Sequence, residues 1–442
     1  MKQLNVDSVP SDGFNPDWLK TVYQSYVARS RAVGKDGVRH YAFEKILDAE
    51  CALIATKVND GTYRLTSYRE KLIARGAKRP PRQISVPTIR DRLALRGALE
   101  YLKTHFPDAK PRPPHVYIKD IKTYLKVARE HSSFLRMDIK DFYPSLRHDL
   151  LQTALEKSDI PPSIVRLIMR ALVTRTGTAD QPAPALGVPQ GLSISNALAA
   201  IYMTEFDKIA EGGLFYRRYV DDILVIGESE KINSVYKSLW AGLQSIGLTS
   251  HPMGTVGKTE TSVLCDGVQY LGYDITPTQI SVRQSSLAKM FSNLAKVLTC
   301  FRYKREHDRH LFRLNLKITG CIINSSRRGW LMFFSQTDNI SQLAYLDAWL
   351  KSELKRLGID ENAVKTFKKS YYEIRFNLQE SAFIPNFDKF DTEQKKNVIV
   401  ILSRRSREEV DVMDITLIER EFDRLIGREV SELERDLVDA FS

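Results

Sequence analysis

Tyr219-Val220-Asp221-Asp222 stands between two apolar runs, Tyr216-Arg217-Arg218-Tyr219-Val220 before it and Ile223-Leu224-Val225-Ile226 after it. The flanks predict two β-strands, with the acidic pair at the tight turn that joins them. A carboxylate cannot be desolvated without a partner, because burying a lone ion is too costly. Two carboxylates at a rigid hairpin tip, open to water on one side, suit Mg²⁺, a hard ion that takes oxygen ligands and keeps some waters. Asp is also common in plain polar turns, so the pair alone leaves both readings open.

The rest of the chain narrows the choice. Phe134-Leu135-Arg136-Met137-Asp138 is another apolar strand ending in acid, followed by Ile139-Lys140-Asp141-Phe142-Tyr143. Between the two acidic tips lies Gly187-Val188-Pro189-Gln190-Gly191, a turn leading into an apolar segment, Ala197 to Phe206, that reads as a helix. Tyr270-Leu271-Gly272-Tyr273-Asp274-Ile275 reads as an aromatic strand broken by glycine.

In this order of elements the chain resembles the reverse transcriptases. They too have a strand ending in Asp near an aromatic pair, then Pro-Gln-Gly, Tyr-x-Asp-Asp and a Leu-Gly strand. Gly34-Lys35-Asp36-Gly37-Val38 and Asn59-Asp60-Gly61-Thr62-Tyr63-Arg64 are similar to the opening of group II intron and related bacterial enzymes. Arg82-Gln83-Ile84-Ser85-Val86-Pro87 and Ile89-Arg90-Asp91-Arg92 resemble their fingers. The resemblance covers roughly residues 30 to 360. It implies an α+β fold of right-hand polymerase form: N-terminal region and fingers over 1–120, palm with an inserted fingers segment over 121–282, helical thumb over 283–360, and a C-terminal helical extension over 361–442.

The same resemblance implies residue roles. Two Mg²⁺ ions, with Mn²⁺ able to substitute, would serve the two ends of an in-line displacement. Asp138 and Asp221 match the principal ligands, Asp222 the third acidic position, and the carbonyl of Ile139 completes one site. Lys258, in Gly257-Lys258-Thr259, matches the lysine that protonates departing pyrophosphate. Phe142 and Tyr143 match the aromatic pair at the nucleotide, Tyr143 being the bulky ring under the sugar that leaves no room for a ribose 2′-hydroxyl. Gln190 and Gly191 match the contact to the incoming nucleotide. Arg82 matches the arginine that grips the triphosphate, for which a planar fork is suited. Its partner among Lys71, Arg75, Lys78 and Arg79 stays open, and Lys78 is the one carried forward. Tyr270, Leu271 and Gly272 match the primer grip.

Bulk properties agree. The chain has 442 residues and a formal net charge of +12, a field that favours a polyanionic partner. Basic residues gather between Arg64 and Arg96 and between Arg302 and Arg313. The four cysteines, Cys51, Cys265, Cys300 and Cys321, form no CxxC pair and sit near no His at zinc-finger spacing, so neither a structural zinc nor a disulfide framework is expected. A reducing cytoplasm fits. No run of about 18 apolar residues exists, so no membrane span is expected, and Met1 to Asp7 lacks the apolar core of a signal peptide.

Beyond the palm, apolar spacing predicts helices over Asp17–Ala32, Tyr41–Lys57, Gln284–Phe301 and Leu343–Leu357, with a basic loop after Phe301. The tail from Val410 to Phe441 carries an apolar stripe that can pack on its own chain, the favoured reading, or pair between subunits, in two helices parted by Gly427. The chain lacks the Asn-Ala-x-x-His element of retron enzymes, a zinc-binding endonuclease signature, and room for an RNase H domain besides a thumb. Leu316 to Cys321, Arg328-Gly329-Trp330, Leu346-Asp347 and Phe383 to Asp388 resemble bacterial defence-associated reverse transcriptases, of the type two or type nine systems. That resemblance implies antiphage defence and a partner non-coding RNA copied into cDNA from dNTPs, with a homo-oligomer compatible. Two alternatives stand beside it: a template-independent or homopolymer-making polymerase, with protein priming at Tyr371, Tyr372 or another hydroxyl compatible, and a non-enzymatic RNA-binding scaffold.

Overall fold

The computed structural model describes residues 9–28, 30, 32–74, 80–109, 112–178, 183–212, 214–303 and 306–441. The chain has an α+β fold. It divides into two compact units, Met1–Arg112 with His131–Thr261, and Pro113–Glu130 with Ser262–Ser442.

The first unit is built on two sheets. β1 (Arg69–Ile73) and β2 (Arg82–Val86) form an antiparallel ribbon in which Ile73 faces Arg82. β3 (Ser132–Asp138), β4 (Phe215–Tyr219), β5 (Asp222–Glu228) and β6 (Glu260–Val263) form a second sheet in the order β4-β5-β3-β6. The expected strands at both acidic tips are present. Register puts Asp138 opposite Asp222 and Tyr219 opposite Asp222, so Val220 and Asp221 alone make the turn. Phe134, Leu135, Met137, Ile223, Leu224, Val225 and Ile226 are all fully buried, which explains why these strands read as nearly continuous apolar runs.

The helix expected over 197–206 runs Ser195–Ala210. The one expected over 17–32 runs Pro16–Val22 and passes into a wider turn, Tyr23–Val27. The one expected over 41–57 is broken at Lys45-Ile46 into His40–Glu44 and Leu47–Asn59.

The second unit holds β7 (Val268–Tyr270), β8 (Tyr273–Ile275) and β9 (Ile280–Val282) as an antiparallel meander. The sequence reading of one broken strand here is corrected: Tyr270 faces Tyr273 across a two-residue hairpin. Leu271 and Gly272 both have positive φ, +48° and +78°, the backbone that tight hairpins require. The glycine therefore marks a reversal of the chain.

Helices Gln284–Tyr303 and Ile340–Leu357 match their expected places. The basic stretch after Phe301 is a helix over His307–Thr319, where a loop was expected. Buried His310, Leu314 and Ile318 on one face, with Leu316 buried on another against the C-terminal cluster, drive it. Its basic residues are partly internal: Arg309 pairs with Glu306, and Arg313 makes a bidentate pair with Glu429 at 2.6 and 2.9 Å. These two arginines are therefore already charge-compensated. The tail is one helix, Ile415–Phe441, that runs through Gly427. A glycine inside a helix costs about 1 kcal/mol. Burial of Ile418, Phe422, Leu425, Ile426, Val430 and Leu433 against Val398, Ile399 and Leu402 outweighs that. The packing within one chain is as expected.

Candidate active site

β3 ends in Asp138, which is 8% exposed. Its backbone is tied on both sides: the Ile139 N–H donates to the Asp221 carbonyl at 2.9 Å, and the His251 N–H donates to the Asp138 carbonyl at 3.0 Å. The segment 249–251 thus extends the sheet beyond β3 and brings His251 and Lys258 to the carboxylate. Lys258 Nζ lies 3.0 and 2.9 Å from the two Asp138 oxygens. His251 Nε2 lies 3.3 Å from one of them.

Asp221 sits at the hairpin tip. Burial raises its carboxyl above the ordinary range, the Asp138 charge raises it further, and Lys258 and Arg82 pull it back. Asp222 differs. Both of its oxygens accept from Arg136, Nε to Oδ1 and Nη2 to Oδ2, each at 2.9 Å. Burial pushes its carboxyl up to about 6 against the pull of that guanidinium. Arg136 stands two residues before Asp138, and alternation along a strand puts both on the face that Asp222 shares.

The turn itself is held. Val220 has φ +57°, an outlier for a β-branched residue. Arg218 Nη1 donates to the Val220 carbonyl at 2.7 Å. The same guanidinium grips Asp207, on the helix Ser195–Ala210, at 2.8 and 2.5 Å, and Tyr216 Oη donates to Asp207 at 2.7 Å.

The Pro-Gln-Gly segment is tied to the helical turn Phe142–Ser145 and to β2. The Val188 N–H donates to the Tyr143 carbonyl, and the Ser85 N–H in β2 donates to the Gln190 carbonyl at 2.7 Å. Gly191 has φ +103°, and a Cβ there would sit 2.6 Å from Ile84 Cγ2. Only glycine lets the two backbones approach so closely. Tyr143 Oη donates to Asn196 Oδ1 at 2.7 Å. Burial and the nearby Asp221 raise its phenol to about 12, while Arg82 and Arg218 act the other way. Arg82, exposed on β2, is therefore felt electrostatically at both Asp221 and Tyr143.

The structure thus brings together Asp138, Asp221, Asp222, Lys258, Tyr143 and Arg82, with Gln190 and Gly191 against the strand that carries Arg82. Ile139 contributes its N–H to the tie, and its side chain is core. Phe142, expected at the nucleotide beside Tyr143, is 3% exposed and packs in the core. Its ring meets Tyr143 edge-on, with the ring centres 5.5 Å apart. Lys78 lies outside the described residues. Tyr270, Leu271 and Gly272 belong to the second unit, where Tyr270 and Leu271 are 1% and 5% exposed. Arg136, His251, Asn196, Arg218 and Asp207 were missed in the sequence. Arg136 alone carried a signal, a basic residue on the acid's own strand face.

The donor set fits a hard divalent cation at Asp138 and Asp221. The Asp138 charge is felt at Asp221, Lys258 and His251 lie against Asp138, and Asp222 is compensated by Arg136. Among the described residues no group of three or more His, Cys, Asp or Glu converges on one point. A site with two carboxylates, completed by water and substrate phosphate, is the usual Mg²⁺ arrangement.

Residues 75–275 match the family described as reverse transcriptase (RNA-dependent DNA polymerase). That match supports the enzyme class of an RNA-directed DNA polymerase, a nucleotidyltransferase. Among solved structures it is similar to telomerase from Candida albicans in complex with a TWJ fragment of telomeric RNA. The identity is 13%, covering 90% of this chain and 67% of that one, with a TM-score of 0.43. It is also similar to apo telomerase from Candida tropicalis truncated from its C-terminal domain. There the identity is 15%, covering 55% of this chain and 60% of that one, with a TM-score of 0.35. No curated protein matches the chain. No described helix is long and apolar enough to cross a membrane.

Proposed function

We propose that this chain copies RNA into DNA, using two Mg²⁺ ions held by Asp138 and Asp221. The observation that carries the reading is the junction of these two carboxylates at one sheet end, with Lys258 3.0 Å from Asp138 and Tyr143 within electrostatic reach of Asp221. When bound, the ions activate the 3′-hydroxyl and stabilise the leaving pyrophosphate. Asp222, fixed by Arg136, sets the rigid floor under the turn. Lys258 holds a proton on Nζ that can pass to the leaving group. Tyr143, tied to Asn196 and backed by Phe142, fills the space a ribose 2′-hydroxyl needs, which selects deoxynucleotides. Arg82 offers its fork to the triphosphate, and Gln190 and Gly191 bring backbone close to the incoming nucleotide. Residues 1–120 serve as N-terminal region and fingers, 121–282 as palm with the Tyr270–Gly272 hairpin as primer grip, 283–360 as thumb, and 361–442 as extension.

The template is a partner non-coding RNA, and the biological setting is defence against phage. The net charge of +12 supports the first, and the sequence resemblance beyond Leu314 supports the second. The test is to purify the full chain from its own host and sequence the RNA and DNA that accompany it. Complementary RNA and DNA are expected. Homopolymeric DNA with no RNA complement would replace RNA copying with template-independent synthesis.

A further inference from the structure

A cavity of about 480 Å³ opens wholly within the second unit. Three cations line it: Lys119 on the helix Pro114–Leu125, Arg327, and Arg375 on the helix Phe367–Phe376. Glu380 is the one carboxylate among its lining residues. Lys119 and Arg327 are exposed and make no ion pair with a described residue. Arg375 donates to Tyr371 Oη at 2.9 Å and to the Ser335 carbonyl at 3.4 Å, and so has no carboxylate of its own. Ser335 also lines the cavity; it is 2% exposed, and its Oγ is buried without a hydrogen-bond partner.

Beside these charges stands an aromatic pair. Phe376, a lining residue, is 74% exposed and Tyr372 is 49% exposed. Their rings stack at 6.2 Å and 23°. The Arg375 guanidinium lies 5.8 Å from the Phe376 ring centre. A lone exposed ring needs no explanation. Two stacked rings, with one face of Phe376 next to a cation and a basic cleft behind, form the pattern that takes unpaired bases and their phosphates. A duplex hides its base faces and could use only the charges. An acidic peptide would leave the rings idle.

We propose that this cleft binds a short single-stranded stretch of RNA or DNA, stacking a base on Phe376 and holding phosphates with Lys119, Arg327 and Arg375. The proposal rests on the polymerase reading only in taking the strand to be nucleic acid. Binding here needs no catalysis.

The test uses the full chain, an unstructured labelled 15-nucleotide strand in RNA and DNA forms, and fluorescence anisotropy across a salt series. Phe376→Ala is expected to weaken binding about tenfold, the usual effect of losing one stacking ring, and Phe376→Trp to retain it. Lys119→Ala with Arg327→Ala is expected to flatten the log–log salt slope by about 1.4, at about 0.7 per phosphate contact on a single strand. A strand carrying 4-thiouridine is expected to crosslink near Phe376. Extension of a primed template by the same variants is expected to match wild type. RNA preferred over DNA points to a 2′-hydroxyl contact, and equal binding to stacking and phosphate alone; both support the site. Unchanged affinity and slope in these variants overturn the proposal. So does displacement of the strand by inorganic triphosphate while Phe376→Ala binds like wild type, since the cleft is then an anion site only. A wild-type chain that binds the strand but extends no primer refutes the polymerase reading and leaves this one standing.

Discussion

Arg218→Ala should cripple the acidic turn while leaving nucleotide binding largely intact. Arg218 is about nine-tenths buried and Asp207 three-quarters, with side-chain exposures of 10% and 25%. Arg218 links Asp207 to the Val220 carbonyl by three hydrogen bonds. Hydrogen bonds to charged groups contribute roughly 1.5–3 kcal/mol. They hold Val220 at φ +57°, a conformation that costs roughly 1–3 kcal/mol for such a residue. Without the brace, a loss of about 1.5–3 kcal/mol in the population of the correct turn corresponds to roughly 10- to 150-fold in kcat. Steady-state primer extension with varied dNTP is the assay. KM for dNTP should change little, because Arg82, Gln190 and Gly191 are anchored through β2. Val220→Gly added to Arg218→Ala should recover about tenfold, since glycine adopts positive φ without the penalty. Wild-type kcat in Arg218→Ala, or no rescue by the glycine, refutes the reasoning.

Four further outcomes are expected. Asp222 has its carboxyl raised to about 6 from an ordinary value near 3.8. Its contribution to stability is therefore complete below about pH 4 and is lost as pH rises through about 6. Thermal melts of metal-free protein should show wild type losing stability over that window relative to Asp222→Asn, and a parallel pair of curves contradicts this. Tyr143→Ala should raise ribonucleotide incorporation at least about tenfold, with Asn196→Ala giving a smaller rise, both read by competition between rNTP and dNTP; the order of magnitude is that of one lost steric contact. Lys258→Ala should lower kcat roughly 100-fold or more, as for loss of a general acid, measured by single-turnover incorporation. Gly427→Ala should stabilise the protein by about 1 kcal/mol in denaturant melts, because a Cβ there meets nothing within 4 Å.

The strands, the acidic tips and the two-residue turn were legible because burial on both faces writes continuous apolar runs, and because carboxylates at their ends have few structural uses. The Tyr270–Ile275 hairpin was misread because Leu271 at positive φ leaves no mark in composition; only Gly272 does. The helix over His307–Thr319 was hidden by its charge. Arg309 and Arg313 looked like surface cations until Glu306 and Glu429 were placed beside them, and Glu429 is remote in sequence. The same reason hid Asp207 and Asn196. Each acts through one contact made by tertiary folding, with no local periodicity to betray it. Phe142 lies in the core while its neighbour Tyr143 is half-buried, because adjacent residues in a helical turn point apart.

The most direct measurement is incorporation of dNTPs by the purified full chain on a primed RNA template with Mg²⁺, comparing wild type with Asp221→Asn. Template-directed extension by wild type, reduced at least about a thousandfold in the variant, is the result this account predicts. Equal extension by both proteins contradicts it.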